Sequence, residues 1–553
     1  MTDPITTESN VYNDSLVHPE QLEKLPPCQA NCPIGTDVRG WVGLIAQRKR
    51  LGYTRDEAYM RAWEHLTEFN PFPATTGRIC PHPCTADCNR TEKEGPVAIN
   101  ALERFLGDWA IKKELRIPKL ENDTKRESIG VIGAGPAGLS FAYQMARRNY
   151  PVTVYEKASE PGGMLRYGIP GYRLPKDILR AEIQRIVDLG VDLQLNAKVG
   201  KSVSVDQIRS RHDVLFLGIG AQLSRRLGVP GEDGEGCWTG TTYLRWVNRG
   251  RTTALGKRVA VIGGGNTAID AARAARRSGA DVTLLYRRTR NEMPAIESEI
   301  EEAVAEDIRF EFLVAPIRIE RNGKAIQSVI AQRMELGPPD ASGRRSPQPI
   351  EGSEVELPFD SVIVAISQEP DWHHLEDLNP SGRQVETTES GRADSDLWAG
   401  GDTLRSGIAG LAIAQGRNAA IDVHAGLRDL APPEHHERPM IPADRIKLDY
   451  YRQRDPLTVP RRAVETWLTE PDREIHETIS EQAFLEETSR CLSCGQCFGC
   501  EHCWTYCNPG GFTRLEEAQP GAYFSLSIEM CEACRKCIEV CPCGFLSVQT
   551  LPE

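Results

Sequence analysis

The sharpest chemistry in this chain lies near its C-terminal end. Cys497, Cys500, Cys503 and Cys507 read C-x2-C-x2-C-x3-C, and Cys531, Cys534, Cys537 and Cys541 repeat that spacing, with Pro542 following the last. Thiolates are soft donors. Runs of this form hold iron–sulfur cubanes in pairs, three cysteines binding one [4Fe–4S] cluster and the fourth binding the other. The expectation is one cluster on Cys497, Cys500, Cys503 and Cys541, and a second on Cys531, Cys534, Cys537 and Cys507. In the first run Asn508 displaces the proline by one position. Zinc ribbons use paired C-x2-C knuckles, not triplets. Cys491, Cys494 and Cys543 fall outside both runs and read as packing thiols, with an alternative ligand set left open.

A second group stands at the other end: Cys28, Cys32, Cys80, Cys84 and Cys88. Five thiols exceed one cluster and fall short of two all-cysteine clusters, so at least one cluster is expected here. A carboxylate could complete a set. Glu103, in the helix that follows, is either that ligand or a solvated helix residue.

Between the two ends the chemistry is that of dinucleotides. Gly133, Gly135 and Gly138 form GxGxxG after the apolar run SIGVI. The first glycine permits a tight turn, the second admits a pyrophosphate, and the third lets helix and strand pack closely. Glu156 ends the next strand, where an acid binds ribose hydroxyls. The loop EPGGMLRYGIPGYRLPK brings Gly163 and Arg166 as further contacts. Far downstream, DLWAGGDTLRSGIAGLAIAQG sets Asp402 between a strand and a helix, where it reads as a ribityl partner or as a plain helix cap. Together these favour FAD. The unit recurs as GGGNTA, with Gly263, Gly265 and Ala268 at the fingerprint positions and Asn266 opening the helix. After its second strand, Arg287 and Arg288 replace the acid, which favours the 2′-phosphate of NADPH over NADH. A flavin beside a nicotinamide is built for hydride transfer, and the flavin can then release electrons singly.

These sites require several domains. The chain has 553 residues, which predicts three or four of them. The expected fold class is multidomain: a helical N-terminal iron–sulfur domain, two Rossmann-like α/β nucleotide-binding domains and a C-terminal ferredoxin-type α+β domain. The boundaries fall at 1–122 (with a flexible or draped arm to about Leu25), 123–254 with 385–430 for the FAD domain, 255–384 for the NAD(P) domain, 431–484 as a linker, and 485–553 for the ferredoxin-type domain. A net charge of -12 argues against nucleic acid or an anionic membrane as a partner. The polar N-terminus and the lack of a long apolar run predict no secretion signal, no membrane span and a cytoplasmic location. Of seventeen cysteines, all but Cys237 lie in the two end groups, which points to metal ligation in a reducing compartment rather than to disulfides.

The order CQANCPIG, GRICPHPC, GAGPAG, GGMLRYGIPGYRLPK, GGGNTAIDAA, YRR, GGD resembles the small subunit of glutamate synthase and its relatives over about residues 28–430. The appended cysteine runs are similar to those of the flavoprotein linked to dissimilatory sulfite reductase and of the phenylglyoxylate oxidoreductase electron-transfer subunit. The resemblance implies one N-terminal cluster on Cys32, Cys80, Cys84 and Glu103. It implies a second that includes Cys28 and Cys88, although the two cysteines that the family places upstream of Cys28 are replaced by HPEQLEKLPP. The YRR segment also occurs in relatives that use NADH. The function implied is an NAD(P)H:acceptor oxidoreductase subunit in a hetero-oligomer. It exchanges electrons with a catalytic partner, such as a 2-oxoacid oxidoreductase or sulfite reductase, or with ferredoxin. The alternatives are a glutamate synthase small subunit and a redox-sensing scaffold flavoprotein.

Overall fold

The computed structural model describes residues 18–251, 253–379, 385–431 and 438–548. The start of the expected N-terminal arm and part of the expected linker therefore lie outside the described residues.

The first nucleotide lobe is a five-stranded parallel sheet ordered Leu397–Ala399, Val214–Leu217, Ile129–Ile132, Val152–Tyr155, Asp192–Gln194. Ile129–Ile132 is buried on both faces, as a central parallel strand must be. The helix that follows, Pro136–Arg147, has proline at its first position, where no N–H is needed. It packs against the 19-residue helix Ala409–Leu427 at backbone range, since a Cβ on Gly416 would lie 2.2 Å from the Ala137 carbonyl oxygen. Phe141 stacks on Phe216 of the sheet at 4.4 Å.

The chain leaves this sheet after Leu217 and returns at Leu397. In between it builds a second five-stranded parallel sheet, ordered Arg309–Phe312, Asp281–Tyr286, Arg258–Ile262, Ser361–Val364, Cys237–Thr239. A three-stranded antiparallel meander, Val314–Asn322, Ala325–Pro339 and Arg345–Pro358, is inserted before Ser361–Val364 and packs one face against this lobe. The antiparallel pairing of Leu223–Ser224 with Gln368–Glu369 marks the crossing between lobes.

Ahead of both lobes sits a helical layer, with Val38–Ala46, Arg55–Phe69, Pro73–Ile79 and Ile99–Lys112 as its main helices. Two glycines set its closest crossing. A Cβ on Gly77 would meet the Arg104 nitrogen at 2.4 Å, and one on Gly107 would meet the Ala74 nitrogen at 2.4 Å. That approach fixes Glu103 over the turn that carries Cys80.

The segment expected to be a linker is instead a strap with its own core. Trp467 is fully buried against Tyr172 and Ile475. Arg277 Nη1 donates to the carbonyls of Trp467 and Pro471, and Arg78 pairs with Glu474. The next helix, Glu481–Thr488, joins the N-terminal layer, with Phe484 stacked on Phe105 at 4.1 Å. Beyond it the cysteine runs carry the short helices His502–Tyr506 and Lys536–Val540 and the ribbon Phe512–Gln519 with Ala522–Leu526. The part of the arm that is described is paired: Pro19–Gln21 runs antiparallel to Leu546–Val548. No helix among the described residues is long and apolar enough to cross a membrane.

Candidate functional site

The first glycine fingerprint, through Gly133 and Gly135, and the start of the helix after the second, through Asn266 and Thr267, open onto one cavity of about 490 Å³, within the range of small-molecule and cofactor sites. Gly133 has φ +104°, and a Cβ there would strike the Gly218 carbonyl oxygen at 2.4 Å. A Cβ on Gly138 would lie 2.0 Å from the Gly133 oxygen, so the third glycine is required for the helix to sit on the turn. A Cβ on Gly135 would meet nothing within 4 Å. That open side faces the cavity and is a cradle of the size and place a pyrophosphate needs. The Glu156 carboxylate is held at the lip by the N–H groups of Ala134 and Ala158, each at 2.8 Å. Gly163, at φ +52°, comes so near the turn that a Cβ would meet the Gly135 Cα at 2.8 Å. Asp402 lines the far side with the start of the Ala409–Leu427 helix. Its carboxylate accepts from the Gly407 N–H at 3.0 Å, and burial raises its pKa.

At the second fingerprint, Gly263 has φ +145° and a Cβ would meet the Ala365 oxygen at 2.3 Å. Ala268 fills the third position and is fully buried. Gly265 has room for a Cβ, the nearest atom being in Pro294 at 3.9 Å. Asn266 lines the cavity and accepts from the Ile296 N–H at 2.9 Å.

Two arginines stand differently from expectation. Arg166 is buried, and its guanidinium donates to the Pro161 carbonyl at 2.6 Å and to Glu160 at 3.1 Å, so it braces its own loop rather than facing the cavity. Arg288 is buried too, donating to the Arg345 carbonyl at 2.7 Å and pairing with Asp340 of the meander. Arg287 is exposed at the end of its strand. Residues that the sequence reading missed supply positive charge to the lining: Lys157, Lys198, Arg245 and Arg249. No spacing rule marks them, because they converge from separate elements.

Cys80, next to Thr76 and Ile79, also lines the cavity. It caps the helix Pro73–Ile79, and its sulfur accepts from the His82 N–H at 3.4 Å. Cys32, Cys84 and Glu103 lie within electrostatic reach of it. Glu103 accepts from Asn70 at 2.8 Å and Thr76 at 3.0 Å, and burial pushes its pKa up to about 7. Burial likewise raises the Cys80 thiol to about 12. With Cys84 buried and Cys32 and Cys80 half-buried, these three thiols and one held carboxylate fit an iron–sulfur cluster, whose irons would take the ligands as anions.

The C-terminal thiols fall into two groups. Cys497, Cys500, Cys503 and Cys541 line one small pocket, with Cys543 as a fifth member whose sulfur is 3.9 Å from that of Cys541. Cys537 lies within reach of Cys531, Cys534 and Cys507. All seventeen cysteines are free of disulfides.

The family models divide the chain along the same lines. Residues 127–417 match the pyridine nucleotide-disulphide oxidoreductase model. Residues 23–115 match the model described as dihydropyrimidine dehydrogenase domain II, 4Fe-4S cluster. The chain is 38% identical to the NADP(+)-dependent formate dehydrogenase subunit beta of Moorella thermoacetica, over 73% of this chain and 60% of that one. It is 40% identical to the NADPH-Fe(3+) oxidoreductase subunit beta of Geobacter sulfurreducens, over 64% and 52%. It thus spans only half to two thirds of the length of these two relatives. It is 33% identical to the glutamate synthase [NADPH] small chain of Escherichia coli, over 71% of this chain and 87% of that one. FAD, a nicotinamide dinucleotide and [4Fe–4S] centres are the cofactors of such a chain. The chain belongs to the pyridine nucleotide-disulphide oxidoreductase family, in the group that includes the glutamate synthase small chains.

Proposed function

We propose that this chain is the electron-transfer subunit of an NAD(P)H:acceptor oxidoreductase. The observation that carries the reading is one cavity lined by Gly133 and Gly135 of the first fingerprint, by Asn266 and Thr267 just after the second, and by Cys80 of the N-terminal thiol set. The bound cofactors would supply hydride exchange between nicotinamide and flavin, and passage of single electrons through iron–sulfur centres. The chain's own residues position and insulate that chemistry. Gly135 and Gly265 leave room for phosphates, and the helices behind them offer N–H groups. Glu156 and Asp402 are oriented by backbone donors, so each presents a fixed oxygen to the cavity. Arg245 and Arg249 add positive charge where diphosphates would lie.

We assign the C-terminal thiols to a ferredoxin-type module with two clusters, one on Cys497, Cys500, Cys503 and Cys541, the other on Cys531, Cys534, Cys537 and Cys507. Cys534 is exposed, as are Ile528 and Met530 before it and Trp504 and Tyr506 of the other run. An exposed cluster edge with apolar neighbours suits docking of a one-electron partner, a catalytic oxidoreductase subunit or a ferredoxin. A cytoplasmic, reducing location suits seventeen free thiols.

Anaerobic addition of NAD(P)H to the purified holoprotein tests the reading: the flavin absorbance should bleach and a one-electron dye should be reduced continuously. A redox-sensing scaffold would bleach without turnover. Identity to the E. coli small chain favours a second reading, a glutamate synthase small chain. Anoxic copurification decides between them, by returning either a glutamate synthase large chain or a different oxidoreductase.

A further inference from the structure

Resting on that reading, we propose that Cys28, Cys88, Cys491 and Cys494 together bind a further [4Fe–4S] cluster, half of its ligands coming from the N-terminal layer and half from the segment after the strap. Family models and thiol spacing leave Cys491 and Cys494 without a role. The fold gives them one. Cys28, Cys88 and Cys491 pack against the same core. Cys88, Cys491 and Cys494 all lie within electrostatic reach of Cys28, and both Cys491 and Cys494 within reach of Cys88.

The backbone around Cys88, Cys491 and Cys494 is tied across the gap. Asn89, beside Cys88, donates from Nδ2 to the Cys494 sulfur at 3.5 Å. Arg90 Nη1 donates to the Arg490 carbonyl at 3.0 Å, just before Cys491. Arg39 Nη1 donates to the carbonyls of Cys494 at 2.6 Å and Lys24 at 2.7 Å, and the Lys24 N–H donates to the Gly495 oxygen at 3.0 Å. The site is thus assembled and held at four points by groups 400 or more residues apart, as in the 455-residue separation of Arg39 and Cys494. Arg39, Arg90 and Arg490 are all fully buried around it. Each is paired with a glutamate, Arg39 with Glu23, Arg90 with Glu94 and Arg490 with Glu487, so these arginines brace the walls of the site.

The arrangement suits a cubane better than zinc. Tetrahedral zinc at ~2.3 Å from each sulfur needs thiols within roughly 4 Å of one another. Among the described residues, no three histidine, cysteine, aspartate or glutamate side chains are grouped to hold a single ion. The place in the fold points the same way. Cys84, of the Cys32, Cys80, Cys84 and Glu103 set, is within reach of Cys28. On the other side, half-buried Tyr451 lies within reach of Cys491 and Cys494 and also of Cys541 and Cys543, and its hydroxyl donates to the Leu492 carbonyl at 2.7 Å. The Gly495 N–H donates to the Cys543 carbonyl at 2.7 Å. The four thiols therefore stand between the thiol set at the dinucleotide cavity and the C-terminal sets, where a redox-inert ion would interrupt conduction. Oxidation of NAD(P)H releases NAD(P)+, one proton and two electrons. The electrons cross this site one at a time, each gained and then lost, and two equivalents of a one-electron acceptor protein take one each.

Iron, sulfide, zinc and FAD analysis of the anaerobically purified holoprotein tests the site. The expected content is about 16 iron and about 16 sulfide per FAD. The double variant Cys491→Ser/Cys494→Ser is expected to hold about 12 of each with FAD retained, and Cys237→Ser to stay at about 16. A wild-type count of about 12, with or without one zinc, overturns the site, and so does a double variant that still holds about 16. Should the double variant fail to accumulate, the wild-type count decides alone. A count of about 12 with flavin still bleached by NAD(P)H would end this inference and spare the electron-transfer reading.

Discussion

Arg173 Nη1 lies 2.8 Å from both carboxylate oxygens of Asp270, across the floor of the dinucleotide cavity. The arginine belongs to the loop of the first lobe, the aspartate to the fingerprint helix of the second. Arg173 Nε also stands 2.8 Å from Glu299, which pairs in turn with Arg273. Both partners of the first pair are buried. The two lobes are thus clamped by ionic groups shielded from water at the place where two dinucleotides would meet.

Removing one side of such a clamp strands the other. Arg173→Ala should cost about 3–5 kcal/mol of stability, because Asp270 is left with no matched partner in a buried place. Arg173→Lys keeps the charge but loses the fork and should cost less. Urea unfolding of the two variants measures both values. Alanine and lysine variants within about 1 kcal/mol of wild type would remove the clamp from the account.

The first fingerprint separates folding from binding. Gly135→Val should fold and lose FAD, since the new side chain enters only open cavity. Gly133→Ala should fail to accumulate, because at φ +104° its Cβ would strike the Gly218 oxygen. Far-ultraviolet dichroism and the flavin content of the two variants check the pair. A flavin-replete Gly135→Val would show that the cradle is not the pyrophosphate site.

The two neighbouring arginines should behave differently. Arg287→Ala, at an exposed position, is expected to lower kcat/KM for NADPH about tenfold relative to NADH, the loss of one charged phosphate contact of ~1.4 kcal/mol. Arg288→Ala should leave the preference between the two cofactors unchanged and lower stability by about 1–3 kcal/mol, since its donors serve the meander. Equal losses with NADH and NADPH in Arg287→Ala would mean that the exposed arginine does not read the 2′-phosphate.

Glu182 gives the stability a pH dependence of known sign. Its carboxylate accepts from the N–H groups of Ala74 at 2.7 Å and Thr75 at 3.0 Å, joining the first lobe to the helical layer. Burial raises its pKa from 4.5 to about 7. The folded chain therefore keeps this proton where the unfolded chain has released it. The contribution is full below about pH 4.5, falls as pH rises, and is exhausted above about pH 7, up to ~3 kcal/mol in all. In Glu182→Gln that fall should be missing. Thermal midpoints measured from pH 5 to pH 8 should converge toward wild type, or overtake it, at the alkaline end. Parallel curves for the two proteins would refute the titration.

The glycines of both fingerprints were legible because a turn at positive φ admits few residues, and the C-terminal triplets because a cubane dictates its ligand spacing. The parallel lobes and the helical layer followed from those signals. What stayed hidden depends on segments distant in the chain. Arg288 reads as a phosphate ligand until the meander brings Asp340 against it. Arg166 is spent on Glu160 within its own loop, a geometry that spacing does not reveal. Residues 431–484 look like a linker by composition, yet Trp467 finds a fully buried seat beside Tyr172. Cys491 and Cys494 look idle until the strap lays them beside Cys28 and Cys88.

The pairing of Pro19–Gln21 with Leu546–Val548 sets a timetable for biogenesis. At roughly 5–20 residues per second, the ribosome needs on the order of half a minute to two minutes to produce the mate of that first strand. Through most of that time Cys28 and Cys88 remain without Cys491 and Cys494. A cluster on those four thiols is therefore a late event, open only once the distant half of its ligands has been made.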